Sequence, residues 1–476
     1  MQRSNQRWTL AIAGLGAFMT ALDTLVVTTA LPVMRVDLGG SLSDLEWIVN
    51  AYNLAFACLL LTGAALGDRF GRRRMFCVGL GLFTGASAAA ALSPSIGALI
   101  AVRGLQGAGA AIVMPLTLTL ISEAFPAEKR GAAIGLWGGI SGLAVAAGPV
   151  VGGAVVDGIG WSWIFWVNVP IGLMLIPVAA RKLTESFGPR SQLDVLGVAL
   201  AAAAALGLTW GLVRANSAGW TSAEVLASLA SGAALGTAFV GWERSTASPM
   251  LPLSLFRSRT FAGANAVSFF LYAGLFGALF LMSQFFQNAL GESPLSAGLH
   301  LLPWTATPML VAPLAGVLAD RYGNRPFMVL GLALQAFGFA WVASIAHPGM
   351  GYAQLGVALT VSGIGTSFCF PTVANAVLSA VPAAEAGVAS GTNSALRELG
   401  GVFGVAVLAS SLSATSAYHS PQVFTDGFTG ALWIAAGFSA IGVVAALLAT
   451  PRQARTPAVD AGEPLPNALA PTRSRA

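Results

Sequence analysis

The chain has 476 residues, of which 56% are hydrophobic and 9% are charged, and its mean hydropathy is +0.76. A soluble protein carries about 25% charged residues, so this composition excludes a water-exposed globular surface and indicates a protein dissolved in lipid. The net charge of +5 comes from 24 lysines and arginines against 19 acidic residues. The distribution of these basic residues along the chain explains that charge.

Fourteen apolar runs follow one another along the chain, and each is long enough to cross the hydrocarbon core, which takes about 20 helical residues. In chain order they cover residues 8–31, 46–67, 75–93, 96–121, 131–156, 163–180, 192–213, 222–242, 260–288, 296–319, 327–346, 353–380, 388–411 and 428–449. The fold class predicted is therefore an all-α integral membrane protein with fourteen spans. Because this number is even, both termini are expected on the same side of the membrane.

The basic residues indicate which side that is. If the N-terminus is cytoplasmic, 20 of the 24 basic residues fall in cytoplasmic segments; only Arg35 and Arg214 fall outside, while Arg103 and Arg397 lie within spans. Such a bias is the positive-inside rule. The prediction is a multi-pass protein of the cytoplasmic membrane with both termini in the cytoplasm. The net charge therefore requires no nucleic-acid partner.

Two copies of one short basic motif indicate an internal repeat. LGDRFGRRR covers Leu66–Arg74 and LADRYGNR covers Leu318–Arg325, and each joins two apolar runs. A second set of matches lies 256 residues apart and pairs Gly107, Gly109, Pro115, Pro126 and Gly131 with Gly363, Gly365, Pro371, Pro382 and Gly387. Two repeated helical bundles facing each other in a bilayer are typical of a transporter.

The repeat also predicts the domain organisation. A duplicated six-span unit would place the landmarks six spans apart, whereas here they are eight apart, so two extra helices must lie between the halves. The predicted domains are an N-terminal six-helix bundle at 1–184, two linker helices at 185–256, a C-terminal six-helix bundle at 257–450 and a disordered cytoplasmic tail at 451–476.

Four charged residues lie well inside predicted spans, away from the span ends: Asp23, Arg103, Arg397 and Glu398. A charge within the hydrocarbon costs at least about 2.5–3.5 kcal/mol unless it faces a partner or a wet cavity. We therefore predict that these residues form the proton-coupling site, with Asp23 as the principal proton-responsive group and Glu398 as a second one. The alternative is a static ion pair. Arg397 and Glu398 are chain neighbours, which point about 100° apart on a helix, so separate partners are expected for them.

At this point the motifs resemble a known family, the fourteen-helix drug:proton antiporters of the major facilitator superfamily. The segments that carry the resemblance are LGDRFGRRR (motif A), Arg103–Gly109 (motif B), Gly142–Gly153 (motif C), Leu22–Pro32 in span one, Trp161–Gly172 at span six and Phe285–Pro303. The chain departs from the family at Ala64, Leu25, Thr28, Ser162 and Glu398. The resemblance implies the major facilitator fold, with two six-helix bundles plus two extra central helices.

The resemblance also implies roles for two further groups of residues. The gating loops of the family correspond here to Asp68, Arg69, Gly71, Arg72 and Arg73 in the first half and Asp320, Arg321 and Gly323 in the second. The antiporter motif corresponds to Gly142, Gly148, Pro149, Gly152 and Gly153. The alternative for the arginines is that they only keep their loops on the cytoplasmic side of the membrane. The alternative for the glycines is ordinary helix packing.

The function implied is export of lipophilic drugs, antibiotics or similar toxic compounds in exchange for protons, by a protein that is not an enzyme and acts as a monomer. No cofactor is predicted. Neither lysine follows a glycine, so no Walker A loop is present, and the three histidines have no metal-ligand spacing. Export of one endogenous metabolite, uptake by proton symport and a channel are the alternatives. The acidic residues suit a cationic amphiphile as substrate, and a neutral compound remains open.

Overall fold

The computed structural model describes residues 2–188, 194–382, 385–412 and 420–449; the predicted tail at 451–476 lies outside them. Regular structure in these ranges is helical. The helices of the first half are α1 Gln2–Leu38, α2 Leu42–Phe70, α3 Arg72–Ala91, α4 Ile96–Ala124, α5 Ala127–Gly158, α6 Trp163–Trp166 and α7 Asn168–Lys182, followed by α8 Val195–Ala218 and α9 Ala223–Ser245. The second half holds α10 Arg259–Gln284, α11 Pro294–Thr305, α12 Thr307–Tyr322, α13 Asn324–Ile345, α14 Tyr352–Ser379, α15 Ala386–Ala409 and α16 Pro421–Ala449.

The helices agree closely with the predicted spans. Thirteen helical segments in the described ranges are long and apolar enough to cross a membrane, and they match thirteen predicted spans in order. The remaining predicted span, 388–411, is α15. Its 24 residues extend about 36 Å at 1.5 Å per residue, which is long enough to span. Arg397 and Glu398, with the polar residues before them, make it the least apolar of the fourteen.

Packing among the described helices is densest within two groups. Helices α1–α7 pack mainly on one another, through pairs such as α2 with α4 and α1 with α5, and α10–α16 do the same, through α10 with α15 and α13 with α14. Helices α8 and α9 pack on each other, and α8 also contacts α2 and α15. The two halves meet chiefly where α5 contacts α11 and α2 contacts α15.

Glycines with positive φ occupy the same position in both copies of the basic motif. Gly71, between α2 and α3, has φ 101°, and Gly323, between α12 and α13, has φ 86°. Glycine enters this region without the steric penalty of a Cβ. Each amide also closes the preceding helix: the Gly71 N–H donates to Gly67 O at 3.0 Å, and the Gly323 N–H donates to Ala319 O at 2.7 Å. The repeated sequence thus folds into one repeated hairpin geometry.

The predicted span 296–319 is interrupted. Helix α11 ends at Thr305 and α12 begins at Thr307, with Ala306 between them. Pro308 has no N–H to donate to the carbonyl of Trp304, four residues earlier, so the α-helical ladder loses a bond at this point. Helix α11 is therefore a short separate piece, and it is this piece that contacts α5. Below, the end of the molecule with the 69–74 loop is the hairpin end, and the opposite end is the far end.

Candidate functional site

A buried polar network joins four helices of the first half. Asp23 on α1 accepts hydrogen bonds from Arg103 Nη1 at 2.6 Å, from Gln106 Nε2 at 2.7 Å and from Asn168 Nδ2 at 2.8 Å. Gln106 also accepts from Arg103 Nη1 at 2.7 Å. Ser87 on α3 accepts from Gln106 at 2.7 Å and from Asn168 at 3.2 Å. The Asp23 carboxylate is thus fully engaged: one oxygen faces the guanidinium and the other accepts two amides.

Arg103 is held on its other sides as well. Its Nε donates to Ile48 O at 3.2 Å, and its guanidinium carbon lies 4.3 Å from the ring centroid of Tyr52 and 5.9 Å from that of Phe165. Asp23 is 2% exposed and Arg103 is 1% exposed. A buried ion pair is tolerated when hydrogen bonds satisfy both partners, and removing one partner leaves a strongly unfavourable unpaired charge.

The structure brings together two residues that the sequence singled out separately. Asp23 and Arg103 are 80 residues apart in the chain and form one ion pair. Sequence reasoning did not single out Ser87, Gln106 and Asn168. The sequence contains a pattern that could have identified them, since each is a polar residue inside or beside an apolar span. Gln106 and Asn168 also lie within the segments that resemble family motifs. The proton-coupling role of this network stays a prediction.

A small cavity adjoins the network between α1, α5 and the start of α7. Its wall is formed by Leu22, Asp23, Val26, Val151, Val155, Ile164, Val167 and Asn168. All of these side chains are apolar except Asp23 and Asn168. Asp23 and Asn168 are therefore the polar residues on the wall of this space.

The charged residues of the second half form a separate pair on α15. Arg397 donates to Glu398 Oε1 from Nε at 3.2 Å and from Nη2 at 3.1 Å. The expectation that chain neighbours need separate partners was wrong here, because the long arginine side chain folds back far enough to bridge the 100° between them. Across the helix interface, Asn393 donates to Asn265 Oδ1 at 3.1 Å and to Ser268 Oγ at 2.7 Å.

The first gating loop is bound within its own half. Arg72 pairs with Asp68 at 2.7 Å and also with Glu123 at the end of α4. Arg73 lies 3.5 Å from Glu185, and its backbone N–H donates to the same carboxylate at 2.9 Å. These contacts fix the loop to α4 and to the segment after α7, so any clamp on the second half would belong to another conformation.

The remaining gating residues have simpler surroundings. The guanidinium carbon of Arg69 lies 5.1 Å from the ring of the next residue, and that of Arg321 lies 5.5 Å from the ring of its own successor. Arg325 Nη2 donates to Leu447 O at 2.6 Å. The side chain of Asp320 is outside the described part of the structure. The two loops therefore share their backbone turn but use different side-chain contacts.

The antiporter motif packs against α1 through two of its glycines. A Cβ on Gly148 would lie 2.6 Å from the Cβ of Leu25, and one on Gly152 would lie 2.8 Å from the carbonyl oxygen of Val26. These residues are four apart on α5, so a small-residue face allows the two helices to approach closely. The helix continues through Pro149.

The same helix presents another glycine to the second half. A Cβ on Gly153 would collide with the carbonyl oxygen of Pro294 at the start of α11, and a Cβ on Gly298 would collide with that of Pro149. Backbone therefore meets backbone between the halves, and the far end is closed in this structure. Among the described residues, no atom lies within 4 Å of a Cβ position on Gly142, so this part of the structure shows no packing contact for that member of the motif.

This contact gives a prediction about closure. Gly153→Val places methyl groups where Pro294 lies, so we expect the far end to be unable to close and transport to fall by at least about tenfold. Gly142→Val is the matched control, because the same side chain meets open space. Transport assays and label-to-label distances between Ile159 and Leu299, both exposed, provide the measurements. Wild-type transport by the Gly153 variant would contradict the prediction.

Two helical halves that face each other around buried ion pairs, with a helix pair added between them, define a membrane transporter of the secondary type. The chain belongs to the Major Facilitator Superfamily, whose sequence model matches residues 13–253 and 264–475. The resemblance inferred from the motifs is thereby confirmed.

Known proteins of this superfamily align over most of the chain. It is 36% identical to the tetracenomycin C resistance and export protein of Streptomyces glaucescens over 403 residues, covering 84% of this chain and 74% of that protein. It is 35% identical to the multidrug efflux pump LfrA of Mycolicibacterium smegmatis over 434 residues, covering 89% and 84%. The peptide transporter POT in complex with sulfate superposes with a TM-score of 0.70 at 15% identity, covering 92% and 93% of the chains. The D-xylose-proton symporter gives 0.65 at 17% identity, covering 93% and 97%.

Proposed function

We propose that this protein exports lipophilic drugs, antibiotics or similar toxic compounds across the cytoplasmic membrane in exchange for protons. The Asp23–Arg103 network carries the proton part of the proposal, because it places an ionisable carboxyl in a sealed site beside a small cavity. The export part draws on the relatives named as resistance and export proteins. The protein acts as a monomer, as a carrier and not as an enzyme.

Helix α1 connects the proton site to the closure of the far end. Asp23 lies two and three residues before Leu25 and Val26, which contact the antiporter motif. One turn further, Thr29 O accepts from Gln287 Nε2 at 2.9 Å, and Thr29 Oγ1 donates to Pro149 O at 3.4 Å. A change in the position of α1 therefore acts directly on the contact between the halves.

Protonation of Asp23 supplies such a change. A neutral carboxyl no longer attracts the Arg103 guanidinium as an ion, so the bond that ties α1 to α4 weakens. In the proposed cycle the proton binds when the far end is open to the outside and leaves when the hairpin end is open to the cytoplasm. Substrate moves in the opposite direction, because the ion pair must reform before the outward step. Alternating access then couples the two movements.

The experiment that tests this function uses a bacterium lacking its own drug pumps. Expression of the protein should raise resistance to members of a panel of toxic lipophilic compounds, and a protonophore should remove that resistance. Inside-out vesicles should release protons when a transported compound is added. Export that persists after collapse of the proton and voltage gradients would rule out proton coupling.

The proposed orientation has its own prediction, with the hairpin end and both termini in the cytoplasm. In a background without Cys58, Cys77 and Cys369, Phe70→Cys lies at the hairpin end and Val36→Cys at the far end, and both positions are exposed. A membrane-impermeant maleimide should label intact cells only at position 36. Labelling at position 70 from outside would invert the topology.

A further inference from the structure

The four intramembrane charged side chains differ in how exposed they are. The side chains of Asp23 and Arg103 are each 1% exposed, and that of Glu398 is 6% exposed. The side chain of Arg397 is 30% exposed. Neither carboxylate is therefore open to its surroundings. Of these four groups, the Arg397 guanidinium is the most accessible.

The packing of α15 shows which way Arg397 faces. Gly400 packs against the α10 backbone at Phe269, whereas Leu399 and Val402 belong to an apolar cluster with residues of α2 and α8. At 100° per residue, Glu398 lies about 40° from Val402, and Arg397 lies about 60° from Gly400. Glu398 is therefore turned toward the first half, and Arg397 lies beside it over α10.

Contacts across the interface agree with this direction. Glu398 lies within electrostatic range of Tyr52, the ring that covers Arg103 in the first half. Glu398 thus lies beside the seam between the two halves, near the middle of its helix, and Arg397 is its bonded neighbour. A central site between halves is where a transported compound must pass in an alternating-access mechanism.

Arg397 rests on an aromatic surface that continues beyond it. Its guanidinium carbon lies 5.1 Å from the ring centroid of Tyr272. Tyr272 stacks on Phe370 with centroids 5.8 Å apart and an interplanar angle of 25°, and lies 5.6 Å from Phe276. Glu398 orients the guanidinium by accepting two of its five N–H donors.

We propose that Arg397 and Tyr272 form the part of the substrate site that selects flat aromatic compounds bearing carboxylate, phenolate or similar acceptor groups. The proposal rests on the export function above and specifies its substrate class. A planar guanidinium binds such acceptors through paired hydrogen bonds, and the rings of Tyr272 and Phe370 stack on the aromatic rings of the compound. A lipophilic cation is instead repelled by Arg397 at low dielectric constant. This reverses the expectation, based on the acidic residues alone, of a cationic amphiphile.

Glu398 acts in this site as the counter-charge of Arg397. While it is ionised, it neutralises part of the attraction that Arg397 has for an anionic compound. Glu398→Gln keeps the guanidinium and removes the opposing charge, so it should strengthen binding of anionic aromatics. A pair with a purely structural role would instead lose binding of every compound when either partner is changed.

The test uses the full-length protein in nanodiscs and two dyes on one xanthene frame, the anion fluorescein and the cation rhodamine 123. We expect wild-type protein to bind fluorescein about tenfold more tightly than rhodamine 123, as charge-assisted hydrogen bonds allow. The double variant Arg397→Gln, Glu398→Gln leaves no unpaired buried charge. It should lose that preference, with rhodamine 123 binding within about twofold of wild type. Arg214→Gln, which breaks a distant exposed ion pair with Glu224, is the control and should change neither dye.

Glu398→Gln separates the outcomes further, since it should tighten fluorescein binding while the double variant weakens it. Wild-type protein that prefers rhodamine 123, or that shows no saturable fluorescein binding, overturns the proposal. So does a double variant that weakens both dyes equally. Protonophore-sensitive export by the same wild-type protein would show that the export function stands even if this selectivity fails.

Discussion

Asp23→Asn is expected to abolish proton-coupled export while the protein still inserts and folds. The amide cannot take up and release a proton, and it has one acceptor oxygen in place of two. Either Arg103 Nη1 or the Gln106 and Asn168 amides then meet a donor, and the buried guanidinium has no carboxylate partner. Resistance should fall to that of cells without the protein, and substrate addition should release no protons from vesicles.

Two further variants separate coupling from stability. Removing one partner of a buried ion pair costs about 3–5 kcal/mol, so Asp23→Asn is also expected to lower thermal stability. The double variant Asp23→Asn, Arg103→Gln removes both charges and should recover most of that stability but no proton release. Asn168→Ala removes one of three donors to the carboxylate and should cause only a few-fold loss. If Asp23→Asn kept full resistance and proton release, the coupling site would lie elsewhere.

The second large effect is expected at Arg103, where even lysine should fail. Arg103 reaches three acceptors at once, on Asp23, Gln106 and Ile48, and its flat guanidinium packs over Tyr52. A lysine ammonium is a compact charge on a flexible stem and cannot span the Ile48 carbonyl and the carboxylate together. We expect Arg103→Lys to lose at least about 90% of transport, and Arg103→Ala to lose all of it, with the carboxylate left unpaired.

Arg214→Lys is the matched control for this substitution. Arg214 pairs with Glu224 at 2.9 Å, but both side chains are about 40% exposed at the α8–α9 pair. An exposed pair contributes little to stability, so transport should stay within twofold of wild type. Expression of each variant is compared by immunoblot and size-exclusion profile. Wild-type transport by Arg103→Ala at equal expression would refute an essential role.

The two halves of the chain differ in their buried charged residues. The position equivalent to Arg103, 256 residues later, is Leu359, which is buried in the apolar core. The second half instead has Arg397 and Glu398 on a different helix, and there the arginine side chain is 30% exposed. The repeat therefore preserves the hairpin turns and helix packing, while the buried charges differ between the halves. We interpret the first half as the proton site and the second as the substrate site.

Much of the architecture was decided by the sequence alone. Lipid offers no hydrogen bonds to the backbone, so long apolar runs must become helices, and their number and order can be read locally. The positions of Gly71 and Gly323 likewise predicted the turns, because only glycine suits their positive φ. Asp23 and Arg103 could be selected as functional candidates because a charge in a span is costly wherever it points.

The tertiary structure alone decided which residues meet. Nothing in the local sequence pairs Asp23 with Arg103, 80 residues away, or adds Asn168 from α7, because partners depend on how each helix is rotated and packed. The packing also decided that Arg397 bonds its own neighbour and stays partly exposed while Glu398 is buried. Hydropathy specifies that a helix spans the membrane, but it is uniform around these helices and does not specify which face turns inward. Close packing of small residues, such as Gly148 on Leu25, sets that rotation.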